Sequence, residues 1–459
     1  MVRRASRGGV VVIPLCDPER CAGAGCTATV CVGAGVPSND ELFERSAVVI
    51  PGGVNSSIRA FKSVGGRPYL VARAEGARIW DVEGSEYIDL VQSYGAVILG
   101  HAHPAITAAV TEAAAGGTSY GAPTPREMKL AETIADRVRS CEQVRFMNSG
   151  TEATSTAVRL ARGYTGRDRV VIFHGNFHGA TDALLAAGGS GVATLGLPGT
   201  AGVPNGAVAE TMVVPYNVVP ALDETIACVM VEPVAANMGV VAPQPGFLDG
   251  LRRECDRVGA VLVFDEVITG FRLGEGGAQA KYDVTPDLTT FGKVIGGGLP
   301  IGAVGGRREI METLSPLGPV FHAGTLSGNP IATAAGLAAL DLLDGDVYIE
   351  LMARARHLSS LLRDACASAG FPARFPVVGT LLGMVCGDVA TPIDFDGAKQ
   401  TDEAAYARFF HAMLDEGVAM APGAYEAIFV GAAHTDAVID EIAERAHRAA
   451  AVAAGTAPT

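Results

Sequence analysis

Residues 228–267 read as strand, helix, strand, and that grammar limits the possible fold more than any other feature of the chain. CVMVEPV (228–234) and VLVFDEV (261–267) are short apolar runs with carboxylates towards their C-terminal ends. Such runs mark strands buried on both faces rather than on one. Between them, in PGFLDGLRRECDRVGA, residues Phe247, Leu251, Cys255 and Val258 recur at helical spacing. Pro245 suits the first turn of that helix and Gly259 its C-terminal cap. A third apolar run, VVIF (170–173), has the same character. Strands joined through helices pair in parallel, with helices on both faces of the sheet. The expected fold class is therefore α/β, built on a mostly parallel sheet.

The flanking segments differ. Ser38 and Glu41 have capping-box spacing ahead of a short helix that Pro51-Gly52-Gly53 ends. Residues 69–90 read as short strands broken at Glu75-Gly76 and Glu83-Gly84. After Asp344-Gly345 the chain turns helix-rich and closes with an Ala-rich helix beginning near Thr435. Four regions are expected: an N-terminal extension without order (1–37), a segment contributing to a small domain (38–99), a large domain (100–344) and a C-terminal small domain (345–459).

Composition excludes several function classes. Lys+Arg 35 against Asp+Glu 49 gives a formal charge of −14, with no basic face of the kind nucleic acid requires. No apolar run reaches the eighteen or so residues of a spanning helix, so no membrane partner is expected. Cys16, Cys21, Cys26 and Cys31 lie five apart in the N-terminal extension, without a nearby His. That spacing does not match structural zinc sites, and no metal is expected. Arg3-Arg4 before GGVVVIPLC has the outline of a secretory signal, but the apolar stretch is short and Pro14 interrupts it. The remaining five cysteines are scattered, without a disulfide framework, so the expectation is a cytoplasmic protein.

Four segments carry the chemistry. In Asn148-Ser149-Gly150-Thr151-Glu152, small hydroxyl residues and a glycine precede an amphipathic helix, presenting backbone N–H groups at the positive end of its dipole. That is a cradle for a phosphate, although an ordinary helix cap would explain the segment alone equally well. Asp265 closes an apolar strand, and strand ends in open α/β sheets face the ligand crevice. Lys293 follows another apolar strand and precedes Gly296-Gly297-Gly298. Desolvation at such a place would favour the neutral amine that imine chemistry needs. Phe177, in Phe177-His178-Gly179, could stack on a flat ring; taken alone, core packing is its default. Together these are the parts of a pyridoxal phosphate site. A strand-end Asp keeps the pyridine nitrogen protonated, and a Lys holds the aldehyde and moves a proton.

These segments, with PGGVNSSIRAF (51–61), LGHAHP (99–104), GSGVATLG (189–196), VEPVAANM (231–238), DEVITGFR (265–272), GKVIGGGLPIGAVGG (292–306), GTLSGNP (324–330) and APGAYEAIF (421–429), carry a resemblance over about residues 38–450. The chain resembles the fold-type I, class-III pyridoxal-phosphate-dependent aminotransferases, and within them the aminomutases. The resemblance implies a large parallel-sheet domain with a smaller α+β domain, and pyridoxal or pyridoxamine 5'-phosphate as cofactor. Lys293 would hold the cofactor aldehyde. Ser149, Gly150 and Thr151 would take the phosphate, with Thr325 of a partner subunit, so a homodimer with shared sites is implied. Asp265 would meet the pyridine nitrogen and Asn237 would lie near the ring hydroxyl; Phe177, His178 and Glu232 complete the cofactor set. Arg59 would pair with a substrate carboxylate, its planar fork suiting that task. Ser56, Tyr94, Ser190 and Glu426 would line the substrate pocket, and residues 187–204 would form a lid.

Three positions depart from the family pattern. Tyr94-Gly95-Ala96 replaces Trp-Gly-Pro, Phe177 stands where tyrosine is usual, and His322 where glutamine is commoner. The expected activity is amino transfer within one small carboxylate-bearing substrate. The alternative is transfer between two molecules, one a β- or ω-amino acid, which Tyr94-Gly95-Ala96 favours. A cofactor-binding regulator without turnover is disfavoured by Lys293 and by the lack of an appended helix-turn-helix.

Overall fold

The computed structural model describes residues 37–186 and 200–456. The N-terminal cysteine cluster, Ser190 and most of the expected lid lie outside the described residues.

Seven strands form the main sheet: β1 (Gln143–Met147), β2 (Arg169–Phe173), β3 (Thr211–Val214), β4 (Ile226–Val231), β5 (Val261–Asp265), β6 (Leu288–Phe291) and β7 (Gly302–Gly306). Their order is β1-β7-β6-β5-β4-β2-β3. β7 alone runs against the direction of the other six strands. The expected helix is α2 (Phe247–Val258), which follows α1 (Gly150–Thr165) in the chain. α2 begins at Phe247 with Gly246 as its N-cap, so Pro245 lies just outside the first turn, and Gly259 caps the other end at φ 69°.

The apolar runs have no polar face because two helices claim alternate residues. Val171, Phe173, Val229, Val231, Leu262 and Phe264 pack with Phe247, Leu251 and Cys255 of α2. Val170, Ile172, Cys228, Met230, Val261 and Val263 pack with Ala153, Ala157 and Leu160 of α1 on the other face. Successive strand side chains point to opposite faces, so both sets must be apolar. This is the α/β layering expected from the sequence.

The flanking segments meet each other. Val71–Glu75, Arg78–Asp81 and Glu86–Asp89 form an antiparallel meander, and Val418–Ala419 adds in parallel beside Glu86–Asp89. Helices Gly345–Ser368, Glu403–Asp415 and Asp436–Ala453 pack in the same region of the molecule. Ser38 and Glu41 form the capping box of helix Asn39–Val49. One apolar cluster runs from Phe61 through Ile134 and Phe291 to Ala453, joining this region to the main sheet.

The glycines after β6 and in β7 serve close approach more than flexibility. A Cβ at Gly302 would lie 2.1 Å from the carbonyl oxygen of Ser149, and one at Gly297 would lie 2.6 Å from that of Ala335. Gly302 pairs with Met147, so the end of β7 presses against the start of α1. Gly302→Ala is therefore expected to cost about 1–3 kcal/mol through overpacking. Urea denaturation would read this as a lower midpoint, and an unchanged midpoint would mean the contact is loose.

Candidate active site

β1 ends at Met147, and the chain turns through Asn148 into α1. Ser149 is extended (φ −153°) and caps the helix, its Oγ accepting from the Glu152 N–H at 3.2 Å. The Glu152 carboxylate reaches back to the Asn148 backbone N–H at 2.8 Å. The capping reading is thus correct, and it is compatible with the other. Gly150 and Thr151, at the positive end of a sixteen-residue helix, line a cavity of about 230 Å³. Gly179 closes against them at φ 83°, where a Cβ would fall 2.5 Å from Thr151 Oγ1. Only glycine combines that φ with that approach.

Asp265 stands at the C-terminal end of β5 and faces the same cavity. Its Oδ2 pairs with His178 Nδ1 at 2.7 Å. Its Oδ1 accepts from Thr290 Oγ1 and from the Val267 N–H, both at 3.1 Å. The Val267 bond is local turn chemistry, but no helix follows, so capping does not account for this residue. His178 Nε2 is buried without a partner. Glu232, just past β4, accepts from the Phe177 N–H (2.6 Å), the Ala236 N–H (3.0 Å) and Asn237 Nδ2 (2.9 Å). It thereby joins two walls of the cavity. Burial, with Asp265 also opposing ionisation and His178 favouring it, pushes its carboxyl up to about 7. Phe177 is 40% exposed and lines the cavity, so it is not a core residue.

Lys293 lies at the head of the turn Lys293–Gly296 with φ 47°, a left-handed conformation costly for a residue with a Cβ. The turn delivers its side chain into the cavity that Ser149, Gly150 and Thr151 also line. Burial lowers its pKa, against the opposing charges of Asp265, Glu232 and Glu426. A neutral amine close to two carboxyl groups can act as nucleophile and as proton carrier. The cavity holds a helix N-terminus for a phosphate, an oriented carboxylate, an exposed aromatic face and a desolvated lysine. These residues fit a flat phosphorylated pyridine aldehyde, and the buried unpartnered His178 Nε2 beside Asp265 leaves a polar position unused by the protein itself.

Of the cofactor residues expected from sequence, Ser149, Gly150, Thr151, Phe177, His178, Glu232, Asn237, Asp265 and Lys293 all line this one cavity. Thr325 does not; it is exposed in a surface turn of its own chain. Ser56, Arg59, Tyr94 and Glu426 are also absent from the lining. Three of them share a neighbourhood, because burial and Glu426 raise the Tyr94 hydroxyl pKa while Arg59 opposes the rise. Arg59 is exposed on the turn Ser57–Ala60, which is anchored by buried Phe61 against Phe410. Tyr94 sits in a left-handed turn held by Asp89, whose carboxylate accepts from the Val91 and Gln92 N–H groups and pairs with His101. His322 lines a second cavity of about 440 Å³ that shares Thr151 with the first.

Sequence reasoning missed Thr154, Gly179, Val267 and Ile268, which also line the cavity. Thr154 follows Thr151 by one helical step of three residues, a spacing that puts both on one face. Val267 and Ile268 follow the strand-end Asp, and their position in DEVITGFR was the available signal.

Residues 61–449 match the family described as aminotransferase class-III. The chain belongs to that family. It is 51% identical over 422 residues to a glutamate-1-semialdehyde 2,1-aminomutase of Bordetella avium, covering 90% of this chain and 99% of that protein. Among solved structures it is similar to an omega-transaminase from Sphaerobacter thermophilus (32% identity, TM-score 0.82) and to a transaminase with PLP bound (31% identity, TM-score 0.80). Each of these comparisons covers 90% of this chain and 97% of the other. The class-III motifs explain why the cradle, the strand-end Asp and the lysine recur together in this chain.

Glu232 gives this site a testable pH signature. Its folded pKa lies above the ordinary 4.5, so its stabilising contribution is complete below about 4.5 and is lost as pH rises through about 7. Glu232→Gln should lower stability by about 1–3 kcal/mol, because one N–H donor loses its acceptor. It should also flatten the decline in urea midpoint between pH 4.5 and 7. An equally steep decline in the variant would assign that titration to another group.

Proposed function

We propose that this chain is a glutamate-1-semialdehyde 2,1-aminomutase that makes 5-aminolevulinate for tetrapyrrole synthesis. The observation that carries this reading is the convergence of Lys293, Asp265 and the α1 N-terminus on one cavity, in a class-III chain about half identical to an aminomutase over nearly its full length. When bound, pyridoxal or pyridoxamine 5'-phosphate supplies an electron sink and a transferable amino group. Ser149, Gly150 and Thr151 would hold its phosphate at the helix N-terminus. Asp265, oriented by His178 and Thr290, would hold a proton on the pyridine nitrogen. Phe177 would cover one ring face, and Asn237, fixed by Glu232, would reach the ring hydroxyl.

Lys293 Nζ would hold the aldehyde at rest and move a proton between the carbons that exchange the amine. Desolvation favours the neutral form that this task needs. Arg59 would take the substrate carboxylate through charge-assisted bonds. Ser56, Tyr94, Ser190 and Glu426 would shape the space between that carboxylate and Lys293. We propose a homodimer in which Thr325 of each copy completes the other's phosphate site; its exposure in its own chain supports this. A cytoplasmic location is favoured by Cys141, Cys228, Cys255, Cys366 and Cys386, all buried free thiols. No helix among the described residues is long and apolar enough to cross a membrane.

The second reading, transfer between two molecules with a β- or ω-amino acid as donor, rests on Tyr94-Gly95-Ala96 and on the likeness to an omega-transaminase. One assay separates the two. Glutamate-1-semialdehyde supplied alone should yield 5-aminolevulinate without an added keto acid or amino donor. Arg59→Ala should raise the substrate requirement by about tenfold or more, the worth of a charged hydrogen bond, with an unchanged cofactor spectrum. Strict dependence on a second amino partner would support the transaminase reading and sink the aminomutase one.

A further inference from the structure

Arg272 heads the fully buried side chains in size, at 0% exposure, and it lies outside the cavity lining. Its Nη2 donates to the Gly95 carbonyl at 2.8 Å and its Nη1 to the Val430 carbonyl at 3.3 Å. Its guanidinium carbon lies 5.2 Å from the Phe429 ring centroid, and its Nε has no partner. No carboxylate among the described residues forms an ion pair with it. Burial lowers its pKa to about 10, against a small opposing influence of Tyr348. A buried charge without a counter-ion is costly, and an apolar side chain of similar volume would fill the space without that cost. Packing alone therefore does not explain arginine here.

Its contacts explain it better, because each ends on a segment next to a residue proposed above for the substrate pocket. Gly95 closes the turn in which Gln92, Ser93 and Tyr94 are all left-handed, at φ 46°, 52° and 54°. A Cβ on Gly95 would meet Phe429 Cε1 at 2.6 Å and Arg272 Nε at 3.3 Å, so the turn rests directly on the guanidinium and the ring beneath it. Val430 follows the strand Ile428–Phe429, just beyond Glu426. Arg272 itself belongs to the loop that leaves Asp265. The loop is pinned by Thr380 Oγ1 donating to the Arg272 carbonyl and by the Tyr348 hydroxyl donating to that of Phe271. The turn Gln92–Gly95, which Arg272 holds through Gly95, packs against the turn Lys293–Gly296. Phe271, beside Arg272, packs on Phe291, two residues before Lys293, with ring centroids 6.0 Å apart. From that position Arg272 opposes, together with burial, the charged form of Lys293 that Asp265, Glu232 and Glu426 favour.

We propose that Arg272 is a positioning residue of this site: its guanidinium clasps the turn carrying Tyr94 to the wall carrying Glu426, and it sets a fixed positive charge within electrostatic reach of Lys293. This rests on the reading of Lys293 as the lysine that holds the cofactor. Substrate affinity depends on the clasp, and the proton affinity of the Lys293 nitrogen depends on the charge.

The test compares full-length holoenzymes of wild type, Arg272→Met and Arg272→Gln by pH titration of the cofactor's visible absorbance, which reports the proton at the Lys293 nitrogen. Losing a nearby positive charge should raise the titration midpoint by roughly one pH unit in both variants. KM for the amino substrate should rise about tenfold, with a smaller change in kcat. A residue of purely structural value would lower the melting temperature and leave the absorbance midpoint in place. An unchanged midpoint in a folded variant overturns the proposal, whatever KM does. If Arg272→Met does not fold, Arg272→Gln, which keeps a donor for one carbonyl, carries the same test. Wild-type holoenzyme lacking a cofactor band attached at Lys293 would sink the underlying reading of the site instead, before any variant is compared.

Discussion

The carboxylate of Asp265 is the point on which the cavity is assembled, because three separate parts of the main sheet end on it. β5 supplies the residue, Thr290 on β6 supplies a hydroxyl donor, and His178, beyond β2, supplies an imidazole at 2.7 Å. These neighbours fix the orientation of the charge and hold the loop after β2 over the cavity, where Phe177 presents its ring. Glu232 repeats the device one strand away, binding the Phe177 backbone and Asn237 with one carboxyl group. The two acids lie close enough that Asp265 opposes ionisation of Glu232. The same pair draws a proton towards Lys293 while burial removes it, so the amine sits between two opposing influences.

Around this centre the site is drawn from segments far apart in the chain. The meander at 71–89 is completed by Val418–Ala419, and that pairing sets Arg59 and Tyr94 near Glu426. Arg272 joins the two ends of this arrangement to the loop of Asp265. Ser149, Gly150 and Asp265 lie at helix and strand termini, whereas Arg59 and Tyr94 lie in turns.

Much of this was legible in the sequence, for physical reasons. Strands buried on both faces must be apolar throughout, so VVIF, CVMV and VLVF declared the sheet, and alternate residues do pack against α1 and α2. Ser149 and Asp265 were legible because helix starts and strand ends have fixed directions in such sheets. What the chain concealed was pairing at a distance. Nothing near Glu232 announces that it accepts three hydrogen bonds, and nothing near Arg272 announces a partner at Gly95. The glycines after Lys293 do not announce their close approaches, because one-dimensional order cannot display a Cβ clash with Ser149 or Ala335.

Lys293 is the lysine that the fold desolvates within the cavity. Borohydride reduction of the full-length protein with pyridoxal phosphate, followed by peptide mapping, tests this directly. The chain has four other lysines, Lys62, Lys129, Lys281 and Lys399. At one equivalent of cofactor a stable pyridoxyl adduct is expected on Lys293 alone; a map without modified Lys293, or label spread over the other lysines, would contradict this role.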